Sequence, residues 1–192
     1  MGERLQELTQ IMLAAAQRAG ADAADAMAVD GLSLHIDVRS GTLEQAERSE
    51  GIEIGLRVFL GRRQAVVSAS DTKAETIAAM AERAIAMARE APEDPYVGLA
   101  DASQLTTTRD ASSLDLADPG PEPDPAFLMN AAREAEAATL AVNGVSKAQG
   151  ASAGWSRTGV WLAATNGFSG GYSRTGASIS CTAIAGEGLG ME

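Results

Sequence analysis

The chain has a single cysteine, Cys181, and a single histidine, His35, in 192 residues. One cysteine allows no internal disulfide. One cysteine with one histidine cannot close a cysteine-based zinc site or supply the roughly three protein ligands of a hydrolytic one. Aromatic residues make up only 4% although hydrophobic residues reach 45%, so alanine, leucine, valine and isoleucine must build the core. No apolar run approaches the length of a membrane span, and Met1-Gly-Glu-Arg-Leu-Gln-Glu has neither the basic start nor the apolar core of a signal peptide. A cytoplasmic protein with no membrane contact is the expectation. Basic residues are also scarce: 15 lysines and arginines face 26 acids, a net charge of −11. That balance argues against a nucleic-acid partner.

What is present centres on Gly51 to Asp71. Ile52, Ile54, Leu56, Val58 and Leu60 occupy alternate positions, so they share one face of a strand. Burying each is worth roughly 1.5–3 kcal/mol before chain entropy is charged against it. The other face carries Glu53, Gly55, Arg57 and Phe59, Gly61-Arg62-Arg63 makes a turn, and Ala65 to Ser70 returns as a second strand. Thr72-Lys-Ala-Glu75 then has the spacing of a capping box. The helix it starts turns Ile77, Met80, Ala84, Met87 and Ala88 inward and ends at Pro92 and Pro95.

Upstream, Leu5, Leu8, Met12, Ala15 and Ala19 predict a helix over residues 3–19, stopped at Gly20. Leu32, Leu34, Ile36 and Val38 alternate with polar residues as a half-buried strand, with Ala26 to Val29 as its partner across an Asp30-Gly31 turn. Gly41 to Glu50 suits a short edge strand. Five of the six prolines lie between Ala91 and Pro123, which marks a linker crossing the surface. Asp124-Pro125 caps a further helix, running to about Val142 with Leu128, Ala131, Ala135 and Ala138 on one face. Val160–Thr165, Gly170–Thr175 and Ser178–Ala185 predict successive antiparallel strands, with Asn166-Gly167 as a hairpin turn.

The fold class expected is α+β: an antiparallel sheet with helices packed on it, then a helix and a second antiparallel β layer. The domains expected are an N-terminal one over 1–92, a proline-rich linker over 93–123, and a helix with antiparallel strands over 124–192, the start of a larger domain. Helix-then-strands occurs twice, which leaves a structural duplication open. The sheet at the C-terminal end reads as unfinished, since Ser178 to Ala185 has no proline or charge to blunt an edge. The expectation is a fragment whose Phe168 and Tyr172 stay partly exposed.

No residue stands out as a catalyst. His35 lies in the polar register of its strand, and no Gly-x-Ser-x-Gly elbow accompanies it. Gly167-Phe-Ser-Gly-Gly and Gly186-Glu-Gly-Leu-Gly open no helix and carry no lysine, so they read as turns rather than phosphate loops. Cys181 alternates with Ile179 and Ala183 as a packing residue. Trp155, Trp161, Phe168 and Tyr172 place four of the seven aromatics within eighteen residues, for packing or for a partner surface.

Glu47-Arg-Ser-Glu-Gly-Ile-Glu-Ile-Gly-Leu-Arg-Val-Phe, followed by Ser70-Asp and a helix, resembles the N-terminal domain of the TldD/PmbA family. Thr165-Asn-Gly-Phe, Tyr172 and Ala185-Gly-Glu-Gly resemble the next segment of its PmbA (TldE) branch. The resemblance implies a cytoplasmic peptidase system in which a TldD-like and a PmbA-like chain assemble to degrade peptides or process precursors such as microcins. It implies zinc in the TldD-like partner, held by His-Glu-x-x-x-His, and no cofactor in this chain, which lacks that motif. A TldD-like subunit and a peptide are the implied partners, with a homodimer left open. Arg57, Thr165, Asn166, Phe168 and Tyr172 are the candidate peptide or partner contacts. The alternative is an independent module that grips an extended peptide through a sheet edge.

Overall fold

The computed structural model describes residues 2–186 and Gly190. Its elements are α1 (Gly2–Ala19), β1 (Ala23–Arg39), β2 (Thr42–Leu60), β3 (Arg63–Ala69), α2 (Ala74–Glu90), α3 (Pro125–Leu140), β4 (Val145–Ala164) and β5 (Ser169–Ala185), with short 3-10 turns at Ala102–Gln104 and Ser112–Leu114. The fold is α+β, and both expected sets of strands lie in one antiparallel sheet of order β3-β2-β1-β4-β5. No helix among the described residues is long and apolar enough to cross a membrane.

Four strands are longer than their local signals predict. Asp30 and Gly31 lie inside β1 and make no hairpin. The Asp30 carboxylate accepts the Gly159 N–H at 3.1 Å, so this turn-forming dipeptide stays extended. The turn comes instead at Ser40 and Gly41, with φ of 52° and 71°. Successive positive φ values are those of a type I′ hairpin turn, whose twist matches the strands. Gly41–Glu50 belongs to the same strand as Gly51–Leu60. It flanks a region of β2 that β3 does not reach, because β3 pairs only from Ile54 onward. Gly170–Thr175 and Ser178–Ala185 are likewise two parts of one strand, β5.

The chain divides into two compact units. Unit 1 comprises Met1–Asp30, Gly51–Leu116 and Thr158–Ser173, and unit 2 comprises Gly31–Glu50, Ala117–Arg157 and Arg174–Glu192. In unit 1, Ile54, Leu56 and Val58 are buried among Leu5, Met12, Ile77 and Met80, with Ile52 and Leu60 at the margin. Helices α1 and α2 present the residues their period predicts, except that Met87 is 47% exposed and Ile85 is buried instead. The Thr72 capping box does not form: Asp71 accepts the Lys73 N–H at 3.1 Å and the Thr76 hydroxyl at 2.8 Å.

Unit 2 packs α3 on Leu34, Ile36, Val38, Ala151 and Ala153 through Leu128 and Ala132, with Ala131 and Ala135 partly covered and Ala138 exposed. Asp124 caps α3 by accepting the Ala126 N–H at 2.8 Å. Glu136 sits 3% exposed, an unusual place for a carboxylate. Its oxygens accept the Ser40 and Gly41 N–H groups at 2.8 and 2.7 Å, so the helix clamps the β1–β2 turn.

Candidate functional site

The candidates Thr165, Asn166 and Phe168 form the loop joining β4 to β5. Thr165 exchanges two bonds with Ala24, its Oγ1 accepting the Ala24 N–H at 3.1 Å and its own N–H donating to the Ala24 carbonyl at 2.9 Å. Asn166 accepts the Phe168 N–H at 3.1 Å and donates to the Ala100 carbonyl at 2.9 Å. Gly167, at φ 92°, takes the left-handed position that an Asn-Gly turn supplies. The Arg109 guanidinium lies 5.5 Å from the Phe168 ring centre and donates to the Gly167 and Ser169 carbonyls. The loop is thus tied to β1 and to the segment after α2.

Arg57 is engaged elsewhere in unit 1. It is paired with Asp25 through two nitrogens and lies 5.1 Å from the Phe59 ring centre. Tyr172, 46% exposed, lines a cavity of about 200 Å³ with Trp161, Val160, Leu5, Gly2 and Ser173. Trp161 is held by its Nε1–H donating to Ser169 Oγ at 3.1 Å. Gly171 is required here: a Cβ would stand 2.3 Å from the Val160 carbonyl oxygen and 2.5 Å from the Trp161 ring. The aromatic residues divide between the units, Trp161 against the unit 1 core and Trp155 against that of unit 2.

In unit 2, His35 is half-exposed and its Nε2 lies 3.1 Å from Asp37 Oδ1. Leu34, Ile36 and Val38 face the core, so strand alternation puts Ser33, His35 and Asp37 on the other face. Cys181 packs against the unit 2 core, whereas Ile179 and Ala183, which share its register, are exposed. The Gly186-Glu-Gly-Leu-Gly segment lies largely outside the described residues.

Residues 24–88 match the model of PmbA/TldA metallopeptidase domain 1, and residues 118–192 match that of the PmbA/TldA metallopeptidase central domain. The chain belongs to the PmbA/TldD family. No curated protein matches it in sequence. Among solved structures, it is similar to a candidate modulator of DNA gyrase from Bacteroides thetaiotaomicron at 18% identity and TM-score 0.80, covering 96% of this chain and 42% of that one. TldE from Thermococcus kodakarensis matches at 13% identity and TM-score 0.74, with 96% and 40% covered. A candidate modulator of DNA gyrase from Thermotoga maritima matches at 12% and 0.66, again with 96% and 40%. These likenesses show the fold, and the chain spans less than half the length of each of these relatives.

The family is named for metallopeptidase domains, so the fit of a metal is a question of donors. Zinc favours imidazole and thiolate, of which this chain has His35 and Cys181. His35 is engaged by Asp37 and Cys181 packs on an apolar cluster. Among the described residues no three His, Cys, Asp or Glu side chains gather to hold a metal. The donor set does not fit a catalytic zinc.

Proposed function

We propose that this chain is the PmbA (TldE)-side component of a cytoplasmic two-chain peptidase, acting on peptides or on precursors of the microcin kind. The observation that carries the reading is the succession of both family domains, in order, along residues 24–192. In this reading a TldD-like subunit supplies the zinc and the His-Glu-x-x-x-His helix. This chain contributes binding surface and performs no hydrolysis by itself. Tyr172 makes a peptide or partner contact, while Thr165, Asn166 and Phe168 hold the hairpin that presents it. Arg57 makes a separate contact, held in place by its pairing with Asp25 and Phe59.

A second reading has its own support. β5 is a seventeen-residue strand at the end of the sheet order, with Arg174 as its only charged side chain and no proline. Such an edge suits strand addition by an extended peptide. Mixing this chain with a TldD-like chain and measuring mass by light scattering separates the two. The first reading expects a stable complex that Tyr172→Ala weakens. No co-migration at micromolar concentrations, with a peptide alone protecting the amides of residues 169–185 from exchange, favours the second.

A further inference from the structure

Unit 2 buries one face of its strands under α3 and leaves a groove of about 430 Å³ on the other. This volume lies within the range of about 300–1,000 Å³ typical of small-ligand sites. Its polar lining comes from Ser33 and His35 of β1, Glu47 of β2, Ser156 of β4 and Ser178 of β5. Gly154 and Gly176 give it a floor without side chains. We propose that this groove binds a cationic group of an extended peptide, with Glu47 as the counter-ion. The peptide nature of the ligand rests on the function proposed above, and the cation specificity rests on the groove.

Two observations lead there. Glu47 is the only carboxylate in the lining, and among the described residues it pairs with no cation. Its neighbours in unit 2 are already matched: Glu44 with Arg39 at 3.2 Å, and Glu50 and Glu122 with Arg48 at 2.9 Å. An accessible carboxylate in a groove without lysine or arginine attracts a cation from outside.

The neutral groups suit the same ligand. Asp37 accepts from His35 Nε2, which leaves Nδ1 of the neutral ring as an acceptor. A Cβ added at Gly154 would stand 3.4 Å from that Nδ1 and 3.3 Å from Ser178 Oγ, so both atoms converge over the glycine floor. That nitrogen and the Ser178 oxygen can accept N–H donors of the ligand over Gly154, while Glu47, on the strand beyond β1, supplies the counter-charge.

The test uses the ¹⁵N-labelled 192-residue chain and amide shifts on titration with three peptides of serine and alanine. One is N-acetylated with a central lysine, one is N-acetylated with glutamate in its place, and one has a free N-terminus and no lysine. The lysine peptide is expected to move the amides of Ser33, His35, Glu47, Ser156 and Ser178, and the glutamate peptide to leave them in place. Binding of the free-N-terminus peptide instead keeps the cation site and assigns its ligand to a peptide's amino end.

Glu47→Gln should weaken the lysine peptide at least about ten-fold, the loss expected of one charge-assisted hydrogen bond, and Glu47→Lys should reverse the preference. Gly176→Val should block binding with an unchanged melt, because its Cβ would meet only Ser156 Oγ, at 3.4 Å, and β-branched residues suit strands. Equal affinity for the lysine and glutamate peptides, or shifts confined to β5 beyond the groove, overturns the proposal. None of these readings needs a TldD-like chain or hydrolysis, so failure of the two-chain assembly and failure of this site remain distinct results.

Discussion

The two units are built on the same strands and reach stability differently. Unit 1 has two helices and nearly inaccessible Leu5, Met12, Ile54, Leu56, Val58 and Ile77. Unit 2 has one helix, with Leu34, Ile36, Val38 and Leu128 as its large buried residues and alanines completing the cluster. Small side chains bury little area, and hydrophobic stabilisation follows area. Unit 2 adds a polar clamp, the Glu136 carboxylate on the Ser40 and Gly41 amides. The lesson is a division of labour within one sheet: one unit carries the apolar weight, and the other leaves a polar strand face open.

Mutations can break or sharpen that contrast. The largest effect is expected in unit 1, where Leu56 is fully buried, so Leu56→Ala should cost about 2–5 kcal/mol in a urea melt. A loss below about 0.5 kcal/mol, well under that range, would mean that the unit 1 core is not the main source of stability. Gly171→Ala comes next, at about 1–3 kcal/mol, because its methyl group would collide with the Val160 carbonyl and the Trp161 ring. Hydrogen exchange should place that loss at the end of β4 and the start of β5 in unit 1.

Glu136→Ala tests the clamp of unit 2. It strands two turn amides, and a cost of about 1–3 kcal/mol follows if they stay dry. Faster exchange at Ser40 and Gly41, with unit 1 amides unaffected, is the expected signature. Unchanged exchange there would show that the turn holds its own shape.

The smallest effect concerns Asp71, exposed just before α2. The Thr76 hydroxyl, then the Lys73 N–H, hold its carboxyl below the ordinary value of 3.8. A folded-state value below the unfolded one stabilises the fold above the unfolded value, and the contribution fades as pH falls through the folded one. Asp71→Asn should therefore melt slightly earlier than the parent at pH 7, and the gap should close below pH 3.8. A gap that is constant with pH would mean that the carboxylate charge plays no part.

Much of unit 1 was legible because its signals are periodic. The alternation from Ile52 to Leu60 and the spacing of Leu5, Leu8 and Met12 each report a buried face directly. Asp124-Pro125 was equally plain, since a cap acts within one turn. The errors fell where a distant partner decides. Asp30-Gly31 carries a turn signal, but the amide that satisfies Asp30 comes from Gly159, 129 positions away. Glu136 lies among alanines on the α3 pattern, and nothing near it announces the β1–β2 turn as its partner.

The loop residues Thr165, Asn166 and Phe168 came from the family resemblance, and the structure ties each to its surroundings. The groove around Glu47 left only a faint trace. Ser33 and His35 flank buried Leu34, and Ser152 lies between buried Ala151 and Ala153. A run of small polar residues reads as a solvated face until the strands that share it are known.

The central claim is that this chain serves a peptidase without holding its catalytic metal. The direct measurement is cleavage of an unstructured peptide by this chain, by a TldD-like chain and by their mixture, with zinc counted in each. Cleavage that requires the TldD-like chain and rises on mixing, with zinc far below one per molecule in this chain alone, is the result predicted. Cleavage by this chain alone, with one tightly bound zinc, would contradict the account.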